Sequence, residues 1–219
     1  MDGAELQDRW RAKYLAARGF MAARAGHPRV LIEVAAQYPL EDGLRPNEEF
    51  RARLDRGQEL FRQYCEEGQF CEIYVPGSRH AFRGRADQVS LSEAGRAYLT
   101  DRGVRSGAIH GDDLNVRYRG DNGVYGTADE CFVAASYFRD AEFGTLACVC
   151  SPAQMIRKTL HYIEFGVVPL NFTAPVANGF HDYLNELFIQ VPQVLGVDAR
   201  VQEDPAEARR MWPKRRPRR

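Results

Sequence analysis

The sequence predicts a doubly wound α/β fold, in which a mainly parallel five-stranded sheet carries helices on both faces (Rossmann-like, three-layer). Two observations lead to this fold class. Short apolar runs typical of buried strands alternate along the chain with longer segments of helical periodicity. Each crossover from strand through helix to strand is right-handed and returns the chain in the same direction, so the connected strands lie parallel.

The first half of the chain shows this alternation in full. Residues 4–25 carry apolar side chains at near-helical spacing, which predicts an N-terminal helix. Residues 29–36 are almost continuously apolar, as in a strand that is covered on both faces. Asn47 is a good cap for a helix over residues 48–67, and Gly68 ends that helix.

The same pattern continues through the second half. Further strands are predicted at residues 70–75, 108–110, 145–150 and 167–172, and further helices at residues 91–101, 127–139, 152–165 and 180–191. Pro192 is predicted to end the last helix. Polar loops follow the predicted strands, including residues 111–126 after the third. In a parallel sheet these loops meet beyond the carboxyl ends of the strands, where ligands bind.

Length and composition favour one soluble domain. A chain of 219 residues, 44% of them hydrophobic, is long enough for one sizeable core, and no Ser/Gly-rich or Pro-rich run inside it marks a linker. We therefore expect a single domain over residues 1–205. No apolar run approaches the ~20 residues that cross a bilayer, and residues 1–15 lack an apolar signal core. We expect no membrane contact and a cytoplasmic location.

The net charge of zero hides an asymmetry along the chain. The last eleven residues hold seven of the 30 basic residues and no acidic one, which leaves 23 basic against 30 acidic residues elsewhere. Residues 206–219 are predicted to be a disordered basic tail, because Pro213 and Pro217 oppose a helix. No aromatic-rich stretch beside the tail offers a stacking platform, so we expect no nucleic-acid partner. Nothing in the sequence indicates an oligomeric state.

Ser151 opens a candidate anion site directly after the fourth predicted strand. The Ser151-Pro152 pair is a strong helix start. Free N–H groups at Ala153 and Gln154, together with the helix dipole, can receive a phosphate or carboxylate, and Arg157 one turn later supplies a positive charge. Capping of the helix by Ser151 is the alternative interpretation of the same residues.

The loop after the second predicted strand resembles an anion clamp. Its glycines let the backbone approach a ligand closely, and its cationic side chains can surround a negative charge. The residues concerned are Gly77, Ser78, Arg79, His80, Arg83 and Arg85. For any single one of these arginines, a surface loop with scattered charge is the alternative.

Two carboxylates are candidate catalytic groups. Glu93 lies at the start of a predicted helix, where it can move a proton or form half of a capping box with Ser90. Asp113, beside Asp112, can move a proton, orient a hydroxyl or simply turn the chain. Without a third clustered ligand these acids predict no dedicated metal site.

Five short motifs, in their order along the chain, resemble the family typified by the YdcF, SanA and ElyC proteins. They are residues 51–61 with Arg53 at the family's arginine position, Gly77-Ser78 at its Ser-Gly-Gly turn, Ser92-Glu93-Ala94 at its Ser-Glu-Ala helix, Thr127 at its Asn-Thr helix start, and residues 148–157 at its Val-Thr-Ser-x-x-His-x-x-Arg segment. The resemblance covers roughly residues 29–175, and the order is more specific than any one motif.

The resemblance implies a small-molecule enzyme that acts on an anionic or nucleotide-like metabolite by hydrolysis or group transfer, with S-adenosylmethionine among the implied ligands. It implies a ligand-binding role for Arg53, Thr127, Ser151 and Arg157. One departure bears on catalysis: Gln154 stands at the family's histidine position, which removes the obvious proton carrier. A non-catalytic ligand-binding module of the same fold is therefore the alternative to an enzyme.

Overall fold

The computed structural model describes residues 3–79, 81–82, 85–120, 123–124 and 126–196, and only the backbone of residues 81–82, 85–86 and 189. Its strands are β1 (Arg29–Val34), β2 (Phe70–Tyr74), β3 (Ala81–Phe82), β4 (Arg85–Ala86), β5 (Ile109–His110), β6 (Thr145–Cys150) and β7 (Leu170–Thr173). Five of them form one all-parallel sheet in the order β5-β2-β1-β6-β7, and β3 pairs with β4 antiparallel.

Helices connect and cover these strands. They are α1 (Gly3–Ala23), α2 (Glu48–Glu66), α3 (Leu91–Asp101), α4 (Asp112–Arg119), α5 (Thr127–Asp140), α6 (Met155–Glu164), α7 (Phe180–Asn185) and α8 (Val191–Leu195). Short 3₁₀ turns lie at Ser106–Ala108 and Pro152–Gln154, and one turn of π-helix at Glu186–Gln190 joins α7 to α8. None of the described helices is long and apolar enough to cross a membrane.

The sheet lies between two apolar layers. Along β1, Val30 and Ile32 pack on one side with residues of α2 and α3, whereas Leu31 packs on the other side with residues of α5 and α6. Both faces of the central strand are therefore buried, which explains its nearly continuous apolar sequence. The predicted three-layer α/β fold class is confirmed.

The order of the strands reverses between β1 and β6. From β1 the chain moves outward to β2 and then β5, after which it returns to the other side of β1 and adds β6 and β7. At such a reversal the two neighbouring crossovers leave the sheet in opposite directions, so a crevice opens beyond the carboxyl ends of the two central strands. The fold therefore places its expected ligand crevice beside Ala35 and Ser151, which directly follow β1 and β6.

Three details of the predicted elements are wrong. Residues 111–126, predicted as a loop, contain α4, which has acidic residues in its first turn, basic residues in its last, and Gly120 at a φ of 79° as a left-handed C-cap. The helix predicted from residue 152 starts with a 3₁₀ turn. Pro192 does not end the last helix, because the chain changes from a π-helical turn to α-helix directly before it and continues as α8.

Candidate functional site

A polar cavity of about 250 Å³ lies at the reversal point of the sheet. We call it the switch-point cavity. Its walls come from the loop after β1, the first turn of α2, the segment that follows β6, and residues 178–190, which we call the C-terminal helical segment. The lining residues are Gln37, Glu49, Ser151, Ala153, Gln154, Arg157, Asn178, Asp182, Asn185, Glu186 and Gln190. Three of the predicted ligand-binding residues, Ser151, Gln154 and Arg157, are thus brought together in one cavity.

Arg53 supports one wall of the cavity from behind. Its guanidinium is fully buried and donates to the carbonyl oxygens of Ala35 and Ala36, at 3.2 and 3.0 Å, and to Gln37 Oε1 at 3.1 Å. It also forms an ion pair with Glu49 one turn earlier in α2. Gln37 and Glu49 line the cavity, whereas Arg53 does not. Arg53 therefore orients two lining side chains.

The segment after β6 forms the floor of the cavity. The Ala153 N–H donates to Asn178 Oδ1 at 3.0 Å, and the Gln154 N–H donates to the Ser151 carbonyl oxygen at 3.1 Å. The prediction that these two N–H groups are free to hold an anion is therefore wrong, because the 3₁₀ turn and a neighbouring carboxamide use both. Ser151 is buried, and its hydroxyl makes no capping hydrogen bond to the turn that follows.

Arg157 joins the floor to the C-terminal helical segment. It donates to Glu186 Oε1 at 2.9 Å and to Gln190 Oε1 at 3.1 Å. Its positive charge, predicted to hold a ligand anion, is thus paired with a carboxylate of the protein itself. Burial raises the pKa of Glu186, Arg157 opposes that rise, and the charge of Asp182 adds to it.

Three buried polar atoms of the lining have no hydrogen-bond partner among the described residues. They are Gln154 Oε1, Arg157 Nε and Glu186 Oε2. A buried polar atom left unpaired costs about 1–3 kcal/mol, so native proteins pair nearly all of them. The three residues line one cavity, so a molecule bound there that carries both hydroxyl hydrogens and oxygen lone pairs can pair these two acceptors and one donor once the side chains turn toward it.

Among the residues that the structure describes, the cavity lining is acidic rather than basic. It holds the carboxylates of Glu49, Asp182 and Glu186 against the guanidinium of Arg157. Carboxamides and a hydroxyl make up most of the remainder. Such a lining offers many acceptors and neutral donors, and it repels an added negative charge unless one of the carboxylates moves or is protonated.

Glu93, a predicted catalytic residue, does not line the switch-point cavity. Its carboxylate accepts from the Ser90 N–H at 2.7 Å, and its own N–H donates to Ser90 Oγ at 2.9 Å. This is the complete capping box that the sequence offered as the alternative. Arg79, predicted to bind ligand, is exposed and approaches Glu93 at 4.0 Å.

Asp113, the second predicted catalytic residue, belongs to a separate polar network. It accepts from the Gly111 N–H at 2.7 Å and contacts His110 Nδ1 at 3.0 Å, while His110 Nε2 lies 2.8 Å from Glu72. Burial alone would raise the pKa of Asp113, but the hydrogen bonds from His110 and Gly111 lower this pKa to about 2. Bonds to Asp113 and Glu72 raise the pKa of His110 to about 9.

Gly77 and Ser78 hold the loop after β2 against its neighbours. Gly77 has a φ of 108°, and a Cβ added there would lie 2.9 Å from Leu91 Cβ, so the position requires glycine. Ser78 is buried, donates its N–H to the Val124 carbonyl oxygen and accepts the Val124 N–H on its hydroxyl. Neither residue lines the cavity, and neither does Thr127, the first residue of α5.

Several predicted positions lie outside the residues or side chains that the structure describes. They are His80, Arg83, the side chain of Arg85 and the tail at residues 206–219. The clamp predicted on the loop after β2 is therefore described only at Gly77, Ser78 and Arg79.

Sequence reasoning missed the C-terminal wall of the cavity and a buried ionic cluster around Lys158. Lys158 Nζ lies 2.5 Å from Glu33 Oε1 and 2.9 Å from Glu130 Oε2, and Cys148 Sγ donates to Glu33 Oε2 at 3.0 Å. Burial raises the pKa of Glu33, and the nearby Lys158 counteracts that rise. The single acid within the apolar strand β1 was the available signal. The scattered carboxamides of the C-terminal segment offered none.

Comparisons with protein-family models, with curated proteins and with solved structures found no match for this chain. The resemblance to the YdcF, SanA and ElyC family therefore stays a prediction.

Proposed function

We propose that this chain binds a nucleotide-like or sugar-like small molecule in the switch-point cavity, chiefly through the ligand's hydroxyl groups. The observation that carries the proposal is the set of three unpaired polar atoms at Gln154, Arg157 and Glu186, which are buried in the lining of one cavity. The position of that cavity at the strand-order reversal supports the same conclusion, because doubly wound sheets bind ligands there.

The chemistry of the lining favours a hydroxyl-bearing group over a phosphate. A sugar hydroxyl donates to a carboxylate or carboxamide oxygen and accepts from an N–H, which matches the unpaired acceptors and donor. A phosphate would have to displace Glu186 from Arg157 while it lies near Glu49 and Asp182. The sequence predicted an anionic or nucleotide-like ligand. We now propose that the cavity binds the sugar of a nucleoside or similar compound, and that the rest of this ligand is uncharged or cationic.

A second candidate function is an enzyme that hydrolyses or transfers a group on this ligand. Glu186 favours it, because a carboxyl group with a raised pKa and an unpaired oxygen in a ligand cavity is suited to proton transfer. A cation such as S-adenosylmethionine, implied by the family resemblance, is compatible with the acidic lining. Under this proposal Glu186 takes the role that the sequence predicted for Glu93 or Asp113.

Ligand-induced stabilisation tests the binding proposal. The melting temperature is measured with adenosine, adenosine monophosphate, ribose 5-phosphate and S-adenosylmethionine. A ligand at about 100 times its Kd stabilises the native state by about 2.7 kcal/mol, which raises the Tm of a domain of this size by about 5–10 °C. We expect a nucleoside or S-adenosylmethionine to raise it, and Gln154→Ala to reduce that rise.

The matched control is Gln193→Ala, which removes an exposed carboxamide of α8 outside the cavity lining. It should leave the ligand-induced rise unchanged. If no compound stabilises the wild type, or if Gln154→Ala responds like the wild type, the binding proposal is wrong.

Mass spectrometry of the same mixtures after long incubation tests the enzyme. We expect Glu186→Gln to retain binding and to lose turnover by about 10²- to 10⁴-fold, the usual contribution of general acid–base catalysis. Compounds that bind but remain intact with the wild type would reject the enzyme and leave the binding proposal standing.

A further inference from the structure

A second depression adjoins the switch-point cavity. This groove, of about 360 Å³, lies between the first turns of α2 and the chain that follows β7. Its lining residues are Glu48, Glu49, Ala52, Pro175, Val176 and Ala177. We call it the α2 groove.

The α2 groove and the switch-point cavity have lining residues in common or adjacent in the chain on two sides. Glu49 lines both spaces. On the opposite side, Ala177 lines the groove and the next residue, Asn178, lines the cavity, where it accepts the Ala153 N–H. The two spaces therefore adjoin each other at Glu49 and at Ala177-Asn178.

The walls of the two spaces differ in chemistry. Ala52, Pro175, Val176 and Ala177 give the groove methyl groups and a pyrrolidine ring, whereas the cavity lining is almost entirely polar. Apolar surface of this kind is covered favourably by a compact ring, at about 25 cal/mol for each Å² removed from water. Polar walls next to apolar walls fit a ligand with a hydroxyl-bearing part joined to a ring.

Glu49 lies at the junction of the two parts. Its Oε1 pairs with Arg53, and no described residue donates a hydrogen bond to its Oε2. Because Arg53 is buried and held by three further oxygen atoms, this ion pair fixes the Glu49 side chain. A fixed carboxylate at the boundary can accept a hydrogen bond from a hydroxyl or amino group of a ligand that spans the boundary.

We propose that the α2 groove is the second half of the ligand site and takes the ring of a sugar-linked ring compound, such as a nucleoside or an aryl glycoside. This inference rests on the proposed function, because it assigns the sugar to the switch-point cavity. It adds that the ring contributes a separate share of the affinity through apolar contact.

Isothermal titration of the full chain with methyl riboside, phenyl riboside and adenosine tests the inference. The three compounds share the sugar and differ in the ring. We expect both ring compounds to bind the wild type about tenfold or more tightly than methyl riboside. A phenyl riboside that binds as well as adenosine assigns the gain to apolar contact, and a preference for adenosine assigns part of it to hydrogen bonds at Glu49.

The test variant is Ala177→Trp, which fills the groove from an exposed position and leaves the cavity residues in place. We expect it to bring the affinity of both ring compounds down to that of methyl riboside, which itself stays unchanged. Ala128→Trp, at an exposed position in the first turn of α5, is the matched control and should retain the wild-type affinities.

The outcomes separate the two proposals. If methyl riboside binds and the ring adds no affinity, or if Ala177→Trp retains the gain from the ring, the groove is not part of the site and only this inference is wrong. If none of the three compounds binds the wild type, the proposed function and the inference fail together.

Discussion

Arg157 and Lys158 are neighbours in α6 but belong to opposite kinds of environment. Lys158 is 1% exposed and lies between Glu33 and Glu130, and both oxygens of Glu33 have partners. Arg157 is 16% exposed and faces the switch-point cavity, where its Nε and Glu186 Oε2 are unpaired. We call the first cluster closed, because each of its ionised groups has a partner within the protein, and the second cluster incomplete.

Whether its polar groups are paired distinguishes a structural cluster from a candidate binding cluster more clearly than its charge does. A buried polar group that is fully paired within the protein contributes to a unique packing arrangement, because no further molecule is needed to satisfy it. A polar group left unpaired in a cavity lowers stability until a ligand or water pairs it, and this cost is common at binding sites. The Lys158 cluster therefore belongs to the architecture, and under the proposed function the Arg157 cluster is the part that a ligand completes.

The largest expected effect is on the closed cluster. Lys158→Met leaves the buried Glu33 and the partly buried Glu130 without their cation, so we expect it to lower the free energy of unfolding by about 3–5 kcal/mol. Arg157→Met, the matched variant one residue earlier, strands one carboxylate, Glu186, instead of two, and that carboxylate lines a cavity, so the loss should be smaller, about 1–3 kcal/mol. Urea denaturation measures both.

A second substitution checks the reason for that loss. Adding Glu33→Gln to Lys158→Met removes one stranded carboxylate and should recover part of the lost stability. Equal losses for the two single variants would contradict the distinction between a closed and an incomplete cluster.

The next largest effect is a pH dependence of stability that arises at His110, whose two ring nitrogens contact Glu72 and Asp113. Bonds to Asp113 and Glu72 raise the pKa of His110 from 6.5 to about 9, so the native state binds this proton more tightly than the unfolded chain. The resulting stabilisation is complete below pH 6.5 and is lost as the pH rises to 9. This stabilisation amounts to about 3 kcal/mol.

Urea denaturation at a series of pH values measures this loss. His110→Gln removes the titrating group and should flatten the profile between pH 6.5 and 9, while Arg29 and Tyr137 still contact Glu72. A wild-type profile that is already flat over this range would show that the His110 network does not hold the extra proton.

The smallest effect on stability is expected at the incomplete cluster. Glu186→Gln keeps a hydrogen-bond acceptor for Arg157 and replaces a carboxylate in which one oxygen, Oε2, has no partner. We therefore expect it to change the free energy of unfolding by less than about 1 kcal/mol. A loss above about 2 kcal/mol in urea denaturation would place this ion pair with the structural clusters.

The fold could be predicted because its signals are local. The apolar run at β1 and the Asn47 cap of α2 report burial and helix starts residue by residue. The missed helix α4 has only eight residues and mean polarity typical of a loop. Pro192 was misjudged because a proline in a first helical turn and one that ends a helix look alike in the sequence.

Only the wall of the candidate site that directly follows a strand of the sheet could be predicted, because ligands bind beyond the carboxyl ends of parallel strands. Ser151, Gln154 and Arg157 follow the strand at the reversal point, so the position of β6 was enough to find them. Asp182, Asn185 and Glu186 come from a helical segment that returns over the same edge, and its path depends on tertiary packing. Glu93 was ambiguous because one residue satisfies both a capping box and a proton-carrier position.

The central claim is that a ligand pairs the unpaired groups of the switch-point cavity. Side-chain amide resonances in nuclear magnetic resonance report it directly during a titration with adenosine. We predict that the NH₂ signals of Gln154, Asn178 and Asn185 shift together with one Kd, while Gln193 stays unchanged. Shifts confined to residues near Ser78 or Asp113, with a silent Gln154, would contradict the account.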